Sequence, residues 1–254
     1  DFPWEERQKL SMWSDAAVSD ERITGKADLT LEERQLMAVD IFESFSKLWQ
    51  ERLDDGVESF DLIRLMQKDP NTKDLINDPV MFIGNLLLLI VGGNDTTRNS
   101  MTGGVIFFNE NPSELEKVRN DTSLIPSMVS EVIRFQTPLP HMRRTVTRDF
   151  EFKGHRMKEG DKVVLWYCSA NRDDDVIKNP DSFVIDRESP RNHASFGFGI
   201  HRCMGNRLAE MQLRVLWEEC LDLFESIEVQ AEPTRLSNNF VRGYSELEVV
   251  VKRH

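Results

Sequence analysis

Cysteine is scarce in this sequence, and basic charge is in short supply. Among 254 residues there are three cysteines, Cys168, Cys203 and Cys220. They form no CxxC pair and cannot all be disulfide-bonded, so a reducing cytoplasm is the expected setting. Acidic side chains outnumber basic ones 44 to 32, a net charge of −12. Phosphate recognition needs a basic surface, so this balance argues against a general nucleic-acid binder. Long apolar runs are missing too. The longest, Leu86–Val91, lies just after Gly84 and Asn85. It falls far short of the ~20 apolar residues that cross a bilayer, so no membrane span is expected. No signal peptide is visible, but the chain starts at Asp1 rather than Met, which leaves room for targeting information upstream. Repeats, low-complexity tracts and clear linkers are absent. The chain reads as one unit, long enough for a substantial core.

What is present is mostly helical. Leu36, Val39, Phe42, Phe45, Leu48 and Trp49 recur at spacings of three and four, predicting an amphipathic helix that stops near Asp54–Gly56. A long helix is predicted from Pro79 to about Asn109, with Pro112 just beyond it. Its first half, Met81–Val91, is apolar on almost every face, which places it in the middle of the protein. A further helix is predicted over Leu124–Phe135, ahead of Pro138 and Pro140. Alternation over Arg144–Phe152, a turn at Gly154 and the β-branched, aromatic stretch Val163–Tyr167 then read as strands, the last of them buried. Asn171–His201 lacks regular pattern, and an irregular segment of that length inside a domain usually carries function. A last amphipathic helix, Asn206 to about Phe224, precedes short strands at Ile227–Gln230 and Leu247–Val251. The fold class is mainly α with a minor β part.

The most informative segment is Phe196-Gly197-Phe198-Gly199-Ile200-His201-Arg202-Cys203-Met204-Gly205. A free thiol ionises only near ~8.5 and needs help to act as a ligand at neutral pH. Cys203 lies just before a predicted helix, whose free N–H groups and dipole favour negative charge, and His201 and Arg202 add positive charge. Gly197, Gly199 and Gly205 remove side chains, which lets the backbone approach something flat and bulky. The plainer alternative is a buried cysteine in a tight loop. A zinc site fails for want of a second ligand pair at suitable spacing.

Three further patterns stand out. Gly92-Gly93-Asn94-Asp95-Thr96-Thr97 puts adjacent glycines inside a helix, at roughly 1 kcal/mol each against alanine. Room for a bound molecule beside the backbone would offset that; a kink with a back-bonded threonine is the simpler explanation. Asp95 and Thr96 are costly to bury without partners. Glu131-x-x-Arg134 can pair along one helix face, but Glu116-x-x-Arg119 and Glu188-x-x-Arg191 fit the same pattern. Arg143 and Arg144 open the first strand, where a surface arginine pair is the default reading.

The cysteine segment resembles, position for position, the haem-binding loop of the cytochrome P-450 superfamily, Phe-Gly-x-Gly-x-(His/Arg)-x-Cys-x-Gly. By that resemblance Cys203 is the metal ligand, the axial thiolate of a haem b, and the thiolate favours O–O cleavage. His201 would bind a propionate and Phe196 would pack beside the thiolate. The glycine-rich helix segment matches the family's oxygen-activation motif, which implies proton handling by Thr96 and Asp95. Glu131-x-x-Arg134 ends a helix before the proline-rich turn, as the family's structural Glu-x-x-Arg does. Arg144 aligns with a propionate-binding arginine. Asn171-Arg172-Asp173 and Phe183-x-x-x-Arg187 resemble the frame of the family's irregular meander.

The resemblance covers the whole chain in the family's order. Ile90–Gly104, Gln136–Arg144 and Phe198–Glu210 look like the bacterial alkane and fatty-acid ω-hydroxylase branch. Members of that branch take electrons from NAD(P)H through a ferredoxin reductase and a ferredoxin, and oxidise the end carbon of medium-length chains with O2. Family geometry implies a substrate pocket bounded by Leu88, Val91 and Gly92 on one side and Leu139 and Pro140 on the other. Phe2-Pro3-Trp4 resembles the approach to the helices that cover the pocket, so residues 1–254 are expected to be the C-terminal part of a single domain. Two rivals remain: a haem-thiolate relative that does not mono-oxygenate, which Asp95-Thr96 speaks against, and a truncated haem-binding module without activity.

Overall fold

The computed structural model describes residues 2–18, 29–54, 56–57 and 60–254. Helix takes 54% of the chain and strand 13%, which makes it mainly α with a minor β part, as expected. It divides into two compact units, Asp1–Asp95 and Thr96–His254, with the boundary inside one long helix.

The first unit holds α1 (Gln8–Val18), α2 (Leu31–Asp54), α3 (Leu62–Lys68) and the start of α4 (Pro79–Glu110). A capping box starts α2: the Thr30 N–H donates to Glu33 Oε2 at 2.7 Å, and the Glu33 N–H donates to Thr30 Oγ1 at 3.2 Å. The helix ends where its periodicity predicts, but its apolar stripe is only half used. Phe45, Leu48 and Trp49 are buried, with Ile41, whereas Leu36 and Val39 are exposed. The core of the unit is aromatic. Trp13 lies 5.9 Å from Phe45 and 5.8 Å from Phe2, and Trp49 meets Phe82 edge-on at 5.5 Å.

Helix α4 corrects one expectation. Its apolar half is not enclosed on every side: Phe82 and Leu86 are buried, but Met81 and Leu88 are 52% and 72% exposed. Gly84 and Gly92 are exposed as well. The short run Leu86–Val91 also understates the helix. The whole helix is long and apolar enough to cross a membrane by length and composition alone. Its polar residues are nevertheless bonded inside the fold. Asp95 and Asn99 are buried and accept hydrogen bonds from Ser14 Oγ and the Tyr244 N–H, as in a core helix of a folded domain.

In the second unit the rest of α4 packs with α5 (Pro112–Asn120), α6 (Ile125–Gln136) and α8 (Asn206–Leu223) around Phe107, Phe108, Met128, Val132, Phe183 and Trp217. Helices α4 and α8 come close only because residue 104 is glycine: a Cβ there would lie 2.7 Å from the Trp217 ring. Strands form four separate two-stranded antiparallel ladders among the described residues. β1 (His141–Thr145) pairs with β4 (Lys162–Trp166), β2 (Phe150–Phe152) with β3 (His155–Met157), β5 (Phe224–Val229) with β8 (Val249–Arg253), and β6 (Thr234–Arg235) with β7 (Tyr244–Glu246). The strand expected to be buried at Val163–Tyr167 is not. Val164, Leu165 and Trp166 are exposed, β4 pairs with β1 alone among the described residues, and Tyr167 opens the short helix α7 (Tyr167–Ala170).

Candidate active site

The irregular stretch after α7 is held by two side chains on α6. Glu131 and Arg134, one turn apart, are both fully buried. All five guanidinium N–H groups of Arg134 find acceptors: Glu131 Oε2 at 2.7 Å, Glu131 Oε1 at 2.8 Å, and the carbonyls of Asn171, Pro180 and Ser182 at 2.6, 2.8 and 3.1 Å. Glu131 also accepts from Arg187 Nε at 2.9 Å and from the Val184 N–H at 2.9 Å. Desolvating such a pair is costly unless the remaining donors and acceptors are satisfied, and here they are.

Asn171 carries this frame onward to the cysteine segment. Its Oδ1 accepts the Ala194 N–H at 2.6 Å, and its Nδ2 donates to Thr137 Oγ1 and Ser195 Oγ at 2.8 Å each. Ser195 Oγ in turn donates to the Ile133 carbonyl at 2.9 Å. Thr137 ends α6 in the left-handed region at φ 44°, a conformation uncommon for a β-branched residue. Its hydroxyl, bonded to the Arg134 carbonyl at 2.6 Å, helps offset that cost. His193 sits beside Ser195, whose N–H donates to its Nδ1 at 3.3 Å. Burial, with a smaller contribution from Arg134, pushes the His193 pKa down to about 4, so the ring is neutral at pH 7.

From this anchor the chain runs into Phe196–Gly205. Phe196 packs on the core while its carbonyl accepts the Cys203 N–H at 2.8 Å, folding the segment back on itself. Gly197 and Gly199 take φ of 64° and 75°, values that a side chain would make strained. At Gly197 a Cβ would also come within 3.0 Å of the Tyr167 hydroxyl. The turn Gly199–His201 leads to Cys203, whose side chain is exposed, and Gly205 caps the start of α8. Phe198 and Ile200 are exposed on the same loop. The loop thus presents one thiol on a glycine-thinned backbone just ahead of a helix N-terminus.

The cytochrome P450 family model matches residues 31–250. The chain belongs to the cytochrome P-450 family. Its likeness to solved members runs the length of the chain. It superposes on cytochrome P-450-153 from Novosphingobium aromaticivorans with a TM-score of 0.85 and 42% identity, over 99% of this chain and 60% of that one. Linalool 8-monooxygenase of Pseudomonas putida is 41% identical over 170 residues, 67% of this chain and 42% of the relative. Methyl-branched lipid omega-hydroxylase of Mycobacterium tuberculosis is 40% identical over 165 residues, 64% of this chain and 38% of the relative. The chain therefore spans about two fifths of the length of these curated relatives.

The residues present fit a cytochrome P-450 haem. Among the described residues no three His, Cys, Asp or Glu side chains gather as a metal site. The exposed Cys203 thiol, just ahead of a helix N-terminus, is the donor that would hold the haem iron. On the cysteine loop itself the backbone is open to a neighbour: a Cβ built on Gly199 meets nothing within 4 Å.

The other sequence candidates fall on both units. Leu88, Val91, Gly92 and Asp95 lie in the first; Thr96, Leu139, Pro140, Arg144, His201 and Cys203 lie in the second. Leu88, Gly92 and His201 are exposed, and Val91, Thr96, Leu139, Pro140 and Arg144 are half-buried. Arg144 sits opposite Val163 in the β1–β4 ladder and donates to the Arg143 carbonyl at 3.0 Å. The Thr96 carbonyl accepts from Ser100 Oγ at 2.8 Å. Sequence reasoning missed Ser14, His193 and Ser195. No local pattern marks them, since their partners lie far along the chain or inside an aperiodic loop.

Proposed function

We propose that the protein to which these residues belong is a haem-dependent mono-oxygenase that hydroxylates unactivated C–H bonds, with the terminal carbon of medium-chain alkanes or fatty acids as its target. The observation that carries the class is the Cys203 loop, with its single exposed thiol and left-handed glycines. When bound, the haem supplies a thiolate-ligated iron that favours O–O cleavage, one oxygen atom entering the substrate and the other leaving as water at the cost of two electrons and two protons.

The chain's own residues divide the remaining work. Cys203 donates the thiolate, His201 and Arg144 bind the propionates, and Phe196 packs beside the sulfur. Gly197, Gly199 and Gly205 keep the backbone thin there. Asp95 and Thr96 hold and pass protons, while Glu131 and Arg134 keep the frame of the loop. Leu88, Val91, Gly92, Leu139 and Pro140 bound the substrate. None of these carries charge, so a charged head group finds no partner among them. Affinity comes instead from burying methylenes, worth ~0.8 kcal/mol each. Electrons come from NAD(P)H through a ferredoxin reductase and an acidic ferredoxin docking near Arg202 and Arg207, in a reducing cytoplasm. The two relatives named for lipid ω-hydroxylation and linalool 8-oxidation support an end-directed, apolar substrate.

Residues 1–254 form the C-terminal part of one cytochrome P-450 domain in this reading. The alternative reading is a truncated haem-binding module without mono-oxygenase activity.

Two measurements on the complete protein test the proposal. Cys203→Ser abolishes the thiolate-type Soret band of the reduced carbon-monoxide complex, while Cys168→Ser and Cys220→Ser keep it. A normal thiolate band in Cys203→Ser would overturn the haem assignment. Product analysis with octane and a medium-chain fatty acid gives mainly the end alcohol, and Leu139→Ala raises the sub-terminal share. Hydroxylation mainly at internal carbons in the parent sinks the ω assignment alone. The same two measurements on the 254-residue chain separate enzyme from inert module.

A further inference from the structure

Ser14 and Asp95 are 81 residues apart in sequence, and both are essentially inaccessible to solvent, at 0% and 1% exposure. The Ser14 hydroxyl donates to Asp95 Oδ2 at 2.7 Å, a well-formed O–H···O hydrogen bond. A serine inside a helix ordinarily turns its hydroxyl back on its own i−4 carbonyl. Here, in the second half of α1, the hydroxyl reaches across to a carboxylate on α4 instead.

The position of that hydroxyl is fixed by its neighbour. Trp13 is fully buried, its ring packs against Phe2 and Phe45, and its indole N–H donates to Asp40 Oδ2 at 3.2 Å. With Trp13 locked, the backbone of α1 has one orientation at residue 14, and the hydroxyl is delivered to Asp95 by the same packing. A buried carboxylate that must hold and release a proton needs a defined rotamer and a donor that turns without leaving. A hydroxyl, with one hydrogen and two lone pairs, is suited to both.

We propose that Ser14 is a positioning residue for proton handling by Asp95, orienting the Asp95 carboxylate from α1. The proposal rests on the role in proton handling proposed for Asp95. Ser14 touches neither substrate nor haem in this scheme, and acts only through Asp95.

The test uses the complete haem-loaded protein with its electron donors, and three variants: Ser14→Ala, Asp95→Asn and the pair together. Removing one hydroxyl oxygen leaves no bulk to accommodate, so Ser14→Ala folds. The first readout is the thermal unfolding midpoint, taken as a double-mutant cycle. For this cycle Asp95→Ala replaces Asp95→Asn, because the asparagine amide oxygen could still accept the Ser14 hydroxyl; the two substitutions are then non-additive, and strict additivity would overturn the proposal. The second is oxygen consumption with saturating substrate. Ser14→Ala slows it roughly tenfold, as expected for loss of a buried hydrogen bond. The substrate dissociation constant is unchanged and the solvent deuterium isotope effect is larger. A parent-like rate and isotope effect in Ser14→Ala, with Asp95→Asn slow, rejects Ser14 and leaves Asp95 standing. A parent-like rate in Asp95→Asn rejects the underlying reading of Asp95, and the Ser14 proposal with it.

Discussion

Glu131 and Arg134 are joined by hydrogen bonds of 2.7 and 2.8 Å in a place where neither side chain meets water. Every N–H of the arginine is used, and three of its bonds reach carbonyls of the irregular segment that leads to Cys203. A helix-surface motif has become the fastening of a loop.

Breaking that fastening leaves a buried charge without its partner. Glu131→Gln and Arg134→Lys are each expected to lower stability by ~3–5 kcal/mol, more than typical surface changes. Lysine cannot reproduce a planar five-donor array. Denaturant unfolding of the complete protein measures the loss. A change below ~1 kcal/mol in both variants contradicts this account of the pair.

Gly104→Ala places a methyl carbon 2.7 Å from the Trp217 ring. Because both residues sit on packed helices, relief requires the helices to shift, at a cost of ~1–3 kcal/mol. The unfolding midpoint is expected to fall, and near-ultraviolet circular dichroism should report a changed tryptophan environment. Gly92→Ala, where a Cβ meets nothing within 4 Å, serves as the control for stability.

His193 makes stability depend on acid. Its folded pKa of about 4 lies below the unperturbed value of 6.5 because burial disfavours the charged ring. Between those values the unfolded chain takes up a proton that the folded chain refuses. Stability is therefore fully present above the unfolded value and declines as pH falls toward the folded one, by up to ~1.4 kcal/mol per pH unit. Comparing unfolding of the parent and His193→Gln from pH 7 to pH 4 isolates the effect. The difference between the two should change across that window, and a constant difference would refute it.

Thr96→Ala is expected to leave haem content and substrate binding nearly intact while lowering product formed per electron, with the lost electrons appearing as hydrogen peroxide. Paired assays of NAD(P)H, product and peroxide decide it. An unchanged product yield in Thr96→Ala removes this residue from proton handling.

Much of the molecule is legible in the amino-acid sequence. The periodicity of α2, the proline-bounded ends of α4, the stop of α6 ahead of Pro138 and the amphipathic α8 all appear where local pattern places them. These features depend on backbone propensity and on one apolar face, which neighbours in sequence specify. The short helices α1, α3 and α5 leave little trace there, since each has only a few turns and weak periodicity. Burial is less legible. Leu88 and Trp166 are expected inside and are exposed, because side-chain character does not say which surfaces another segment covers.

The candidate site divides in the same way. The glycines around Cys203 and the pair Asp95-Thr96 are local, so sequence alone points to a thiolate loop and to the cytochrome P-450 family. Three Glu-x-x-Arg patterns, however, are equivalent on paper. The tertiary structure separates them: Arg119 caps the carbonyls of Phe224 and Glu225, Arg191 pairs with Glu210, and only Glu131–Arg134 is enclosed. Helical spacing sets which side chains can meet along one face, whereas burial and the distant carbonyls around Arg134 come from chain brought together across tens of residues. The same holds for Asn171 with Ala194 and for Ser14 with Asp95. Sequence determined the chemistry of these groups, and long-range packing determined their partners, because a hydrogen bond across 81 residues leaves no local trace in either segment.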